Sequence, residues 1–161
     1  MRMVKIVFIT FGILFITCCQ SETLLSGKLH AVAHLEDSFY IILDRGVVKD
    51  GFAFHEDVKL IMVETSIEER ERKEFAQKSL TYLFDMRHDK VNAHIISQDE
   101  AGYSGFVDIN NQDIAILLLE KGYIKVDEDS KYISKYPEKF QQYMESQSMA
   151  KKKKVGLWQD E

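Results

Sequence analysis

Polar and apolar positions partly alternate over residues 28–35 (KLHAVAHL) and, less strictly, over 38–43 (SFYIIL), with Glu36 and Asp37 between them. A period of two puts one face of a strand on a core and the other in water, so these runs predict two strands joined by a turn. Asp44, Arg45 and Gly46 predict a second turn, and the stretch through Lys49, Asp50 and Gly51 to His55 is either a hairpin or a ragged loop. Residues 58–63 (VKLIMV) are apolar apart from Lys59 and run straight into Glu64, Thr65 and Glu68. Such a run predicts a buried strand that delivers carboxylates to one end of a sheet.

After that turn the period changes. Residues 69–84 place Phe75, Ala76, Leu80, Leu83 and Phe84 on one side of an amphipathic helix. Residues 90–96 and 103–109 predict two more strands across a polar turn containing Gly102. A helix over 113–121 follows, with Asn111 as its cap, Ile114, Leu117 and Leu118 facing inward, and Gly122 as its stop. The last helix starts near Pro137, buries Phe140, Tyr143 and Met144, and stops at Gly156. Three strands, a helix, two strands and two helices predict a mainly β fold with α, in which five short strands curl into a small closed or partly open barrel.

At 161 residues the chain suits one domain, and with 1 proline and 8 glycines it shows no low-complexity linker. The first nineteen residues stand apart. Arg2 and Lys5 precede an apolar run over 6–16 that ends at Thr17, Cys18 and Cys19. That run is shorter than the ~20 residues of a spanning helix and has the form of an export signal, followed by a tether at 20–26 and the folded domain at 27–161. Both cysteines lie at that boundary, leaving none for a disulfide or a thiolate site within the domain. Their position resembles the processing site of bacterial lipoproteins, which implies a lipid on Cys18 or Cys19 and a domain held at the membrane in the cell envelope.

Removing the signal takes away Arg2 and Lys5 and no acid, so the net charge passes from −5 to −7. A domain this acidic has no general attraction for phosphate backbones, and any nucleic-acid contact needs a local patch. Lys151, Lys152, Lys153 and Lys154 form the dense one; as the last turn of a helix they also suit the negative end of its dipole. His30 and His34, four apart on a strand, share a face but lack the spacing of a zinc site. Trp158 is expected to pack the terminal segment onto the barrel.

Three stretches together resemble the staphylococcal-nuclease-like, or thermonuclease, family. DVKLIMVETS at 57–66 is similar to that family's strand and Asp-Thr-Pro-Glu turn; DINNQDIAILLLEKGYIKV at 108–126 to its hairpin end and second helix; and AKKKKVGLW at 150–158 to its closing helix and Gly-Leu-Trp end. The likeness spans 27–158 and implies a five-stranded OB-fold barrel with three helices. It also implies a monomer that cleaves DNA or RNA phosphodiesters with calcium, two arginines and a glutamate.

Carried over position by position, the resemblance gives a mixed record. The metal-binding aspartates fall on Asp37 and on Glu64, with Thr65 keeping the threonine, so calcium would take Asp37, Glu64, the Thr65 carbonyl and waters. The first arginine falls on Lys59. The proline falls on Ser66 and the general-base glutamate on Ile67, with Glu68 one step later. The second arginine falls near Tyr103, and no arginine occurs between Lys90 and Lys121. Two functions follow: a weak calcium-dependent nuclease using Asp37, Glu64, Lys59 and Glu68, or a barrel that binds nucleic acid through Tyr103 and the four lysines, or binds a protein, without catalysis.

Overall fold

In a computed structural model of the chain, the described residues are 23–49, 52–65, 68–87, 89–100 and 102–159. The export signal with Cys18 and Cys19, most of the tether's first residues, and Ser66 and Ile67 lie outside them. The alternating segments form strands β1 (Thr23–Leu35), β2 (Ser38–Lys49) and β3 (Phe52–Leu60), an antiparallel meander in which Lys49 pairs with Phe52. β1 begins four residues earlier than the domain start at 27 read from the sequence, because Thr23 to Ser26 pair with a later strand.

That partner is β5 (Lys90–Asp99), which pairs in turn with β6 (Gly102–Ile109). β1 serves two neighbours, its first half pairing with β5 and its second half with β2, with Lys28 common to both. The sheet closes where β3 runs parallel to β6, at Val58↔Tyr103, Lys59↔Ser104 and Leu60↔Gly105. The result is a closed five-stranded mixed barrel, mainly β with three helices, as the OB-fold expectation required. Closure leaves these strands no open edge at the seam.

The apolar run 58–63 is not one strand. It breaks at Ile61 and Met62, with Met62 at φ 61°, and resumes as β4 (Val63–Glu64). Leu60 belongs to the barrel seam, whereas β4 pairs with β8 (Lys125–Val126). Leu60, Ile61, Met62 and Val63 are all buried, so the hydrophobic pattern carries no mark of the change of partner.

Helix α1 (Glu69–Phe84) has the predicted span but buries Phe75, Ser79 and Leu83, while Leu80 and Phe84 face water. After β6, Asn110 and Asn111 both take positive φ and turn the chain into β7 (Gln112–Asp113), a tight turn that asparagine tolerates. Asn111 is therefore a turn residue. Asp113 caps α2 (Ile114–Glu120), its carboxylate accepting the Ala115 N–H at 2.8 Å. Ile114, Ala115, Leu118 and Leu119 are buried there, and Leu117 is partly so.

Helix α3 (Pro137–Lys153) starts at the proline and ends at Lys154 in the left-handed region, two residues before the predicted stop. Gly156, at φ +61°, instead opens a short 3-10 turn, Gly156–Trp158, and packs on Gly122, at φ +66°. The Leu157 N–H donates to the Gly122 carbonyl at 2.8 Å. A Cβ on either glycine would strike backbone, at 2.4 Å for Gly122 and 2.2 Å for Gly156, so the chain end locks against the end of α2 and buries Trp158.

Candidate active-site cleft

The seam between β3 and β6 opens onto a cleft of about 470 Å³. Its walls come from the start of β2, the end of β3, the 60–64 bend, the β5–β6 turn and the 127–132 segment. Asp37, Lys59, Glu64 and Tyr103, four of the residues singled out in the sequence, all line it. Lys59 lies between Tyr40 and Ser104 in the sheet, on the last turn of pairing before the bend.

Two turns remote in sequence are pinned together beside this cleft. The Thr65 N–H donates to the Asp37 carbonyl at 2.9 Å, and the Thr65 hydroxyl donates to the Glu36 carbonyl at 3.0 Å. Thr65 is buried and works as a staple: it brings Glu64 to Asp37, and both of its donor groups are used in doing so. The Asp37 carboxylate accepts the Ser38 hydroxyl at 2.9 Å. Glu64 faces Lys125 across β4 and β8, with 2.8 Å between ammonium and carboxylate. An internal cation thus sits on one of the two acids expected to hold metal.

The sequence reading missed a wall. After β8 the chain runs through Asp127, Asp129, Ser130, Lys131 and Tyr132 along the cleft. It is tied down by the Asp127 N–H donating to the Met62 carbonyl at 3.1 Å and by a 2.7 Å hydrogen bond between the Tyr132 and Ser97 hydroxyls. Burial first pushes the Asp127 carboxyl above its ordinary range, against the Asp129 amide that holds it down; the charges of Glu64, Asp129 and Asp37 push it further up. The acid-rich run DEDSKY at 127–132 was the available signal, but nothing local says that it folds back over Met62.

The acids crowd the cleft without converging. Among the described residues no three His, Cys, Asp or Glu side chains come together as a ligand set. Calcium takes six to eight oxygens, so the donors as placed do not form a finished site, and Lys125 would have to leave Glu64 first. Among the described residues Asp99 and Asp129 bring the lining carboxylates to five, against Lys59 and Lys131, and no described arginine lines the cleft.

The remaining candidates lie elsewhere. Glu68 is exposed at the start of α1 and does not line the cleft, since the helix begins there and turns the chain away. Arg72, on α1, lies beside His34 and Glu36, and Arg87 donates to the Phe84 carbonyl at 2.9 Å over that ring. Lys151 to Lys154 are exposed at the end of α3, outside the cleft, with the Lys151 ammonium 4.3 Å from the Trp158 ring centre. His30 and His34 do not act as a pair. A bulge between Leu29 and Ala31 separates them; His30 stacks on His55 at 3.9 Å, and His34 packs on Phe39 at 4.3 Å.

Residues 57–160 match the family model described as staphylococcal nuclease homologue. The match begins within β3, so Asp37 precedes it. No curated protein matches the chain.

Proposed function

The chain belongs to the staphylococcal nuclease homologue family, and from that premise we propose that it is an exported, lipid-anchored module whose cleft keeps the family's architecture but has lost most of its catalytic equipment. Membership makes it a nuclease-like or nucleic-acid-binding barrel. The narrower reading rests on one observation: among the described residues the cleft is lined by five carboxylates and two lysines, with no arginine.

Phosphodiester cleavage builds negative charge on phosphoryl oxygens, and that charge has to meet preorganised donors. A guanidinium meets it with a planar fork, whereas Lys59 offers a hydrated point charge and Tyr103 a single neutral hydroxyl. Losing one such donor costs about a hundred- to a thousandfold in rate, and two losses compound. The position of the general base falls on Ile67, and Glu68 does not line the cleft. A nucleic-acid or protein-binding role for the barrel needs neither the arginines nor the general base. Export and anchoring rest on the 1–19 signal and on Cys18 or Cys19.

The test is cleavage of single- and double-stranded DNA and RNA by the purified chain with calcium, with other divalent ions and with chelator. Binding is followed separately by fluorescence anisotropy. The expected result is negligible metal-dependent cleavage, with turnover rising when Lys59→Arg, Ile67→Glu and Tyr103→Arg are combined. Robust calcium-dependent cleavage abolished by Asp37→Ala would overturn the proposal.

One observation favours the rival reading of a working calcium-dependent nuclease. Asp37, Glu64 and Asp127 line one cleft, and the Asp127 carboxyl, raised first by its burial, is pushed further up by the charges of Glu64, Asp129 and Asp37, a repulsion that a cation relieves. A bound cation would polarise a phosphoryl oxygen and ready a water. Asp37 and Glu64 would be the acids closest to hand for holding it.

A further inference from the structure

Beyond the Lys28↔Asp44 pair, β1 and β2 part company. Because the two strands are antiparallel, β1 followed back toward Thr23 and β2 followed on toward Lys49 leave that junction in the same direction. β1 continues against β5, but β2 pairs there only with β3, resuming at Val48↔Ala53 after an irregularity. The β2–β3 arm beyond His55 is therefore a two-stranded ribbon with no barrel strand on its other edge.

The arm is apolar where it is most open. Val47, Val48 and Phe54 are 53%, 68% and 48% exposed, and Leu24, next to the start of β1, is 57% exposed. An isolated two-stranded ribbon is marginal in water, and this one carries its hydrophobic side chains outward. In the crotch between arm and β1, Lys28, Arg45 and Lys90 line a pocket together with Asp44, whose carboxylate accepts the Gly46 N–H at 2.7 Å. No ion pair joins these three cations to another described residue. In a chain of net charge −5 this is a basic locus beside an apolar tip.

The length of chain before Thr23 says what meets it. Three or four residues lie between Cys19 or Cys18 and Thr23, a reach of at most about 18 Å when fully extended. A lipid on either cysteine holds this end of the barrel against the bilayer. We infer that the β2–β3 arm, through Val47, Val48 and Phe54, docks into an anionic lipid surface beside the anchor, with Lys28, Arg45 and Lys90 on the headgroups. Apolar side chains at the acyl boundary with cations behind them are the chemistry of an interfacial contact. The inference rests on the lipid-anchor reading of the proposed function. Its consequence concerns the cleft: Tyr40 lines the cleft and Val48 stands eight residues along the same strand, at most about 26 Å away at ~3.3 Å per residue because the strand is irregular between Asp44 and Val48. Docking the arm leaves the cleft on the side turned away from the membrane.

The experiment uses the full lipidated chain reconstituted into vesicles of phosphatidylcholine and phosphatidylglycerol, with and without brominated acyl chains. The native chain has 1 tryptophan, the buried Trp158, which is expected to stay unquenched. Phe54→Trp, with Val48→Trp as a second probe, is expected to gain a blue-shifted emission that brominated lipid quenches. Replacing Lys28, Arg45 or Lys90 by glutamine should lower the ratio of docked to undocked chain roughly fivefold each. Vesicle flotation at high salt reads the anchor separately. Flotation with both probes unquenched overturns docking and leaves the anchor standing; absence of flotation overturns both. Probes shielded only in a concentration-dependent dimer would assign the arm to a second copy of the chain and likewise overturn the inference.

Discussion

Two carboxylates in this protein each sit 2.8 Å from a lysine, and their surroundings give them opposite roles. Asp113, between β7 and α2, is buried and takes the Ala115 N–H, the Tyr143 hydroxyl at 2.8 Å and the Lys139 ammonium. Its acceptor capacity is consumed by groups from two helices. Burial, and then the Asp113 charge, hold the Tyr143 hydroxyl far above the ordinary tyrosine range, so it stays a donor. Glu64, on the cleft wall, is half-buried and has Lys125 as its counter-charge, with Asp127 and Asp37 lining the same cleft. A carboxylate with a full set of partners is part of the scaffold, whereas one with a single movable partner at a cleft can exchange it for a ligand.

The largest effect is expected from breaking the buried set. Asp113→Ala removes the cap of α2 and leaves the Tyr143 hydroxyl unpaired, which should cost about 2–4 kcal/mol in urea unfolding. The Lys125→Met variant should change stability by less than about 1 kcal/mol, because its pair is partly exposed. An equal loss from both variants would erase the distinction drawn between the two acids.

A second buried group sharpens the contrast through pH. Burial, then the Arg72 charge, lowers the His34 pKa to about 4, and its two ring nitrogens are buried without partners. The folded state resists the proton that the unfolded chain accepts from about pH 6.5 downward. Stability is therefore full above pH 6.5 and is lost as pH falls toward 4. Allowing for partial exposure of the ring, the loss between pH 7 and 5 should be about 1–2 kcal/mol, and His34→Leu should flatten it. Denaturant midpoints across that range check both.

Asp127 in the cleft should respond the other way, and more weakly. Asp127 has a raised pKa, so the folded state binds its proton more tightly and loses a little stability as pH rises from the ordinary aspartate range through the raised value. Asp127→Asn should remove that small loss and leave the protein slightly more stable at neutral pH. Lys125→Met should also tighten calcium binding, read by calorimetry, since it frees Glu64 beside two other acids. If Lys125→Met leaves calcium affinity unchanged, Glu64 is not the group that a cation would use.

Much of the barrel was legible because its strands and helices carry local periodicity. The 38–43 run, the 69–84 helix and the Pro137 start appear where the pattern placed them. Errors fell where a residue's role depends on a distant neighbour. Asn111 satisfied the composition of a cap, but Asp113 is better placed because Tyr143 and Lys139 reach it from α3. Leu80 and Phe84 matched an inward stripe, yet the barrel meets α1 along Phe75, Ser79 and Leu83.

The cleft divides in the same way. Glu64 could be named from the chain because it stands at the end of a strand that announces itself, and Asp37, Lys59 and Tyr103 from the family resemblance; all four line the cleft. Lys125 on Glu64 and the Asp127 to Tyr132 wall could not, since each depends on contacts across about sixty residues of chain, such as Lys125 to Glu64. The sequence by itself determined the kind of fold and which polar groups stand at its strand ends, because those follow from burial at a local period. Only the tertiary structure decided which charges face one another, because a carboxylate's partner is chosen by chain closure and not by its neighbours in sequence.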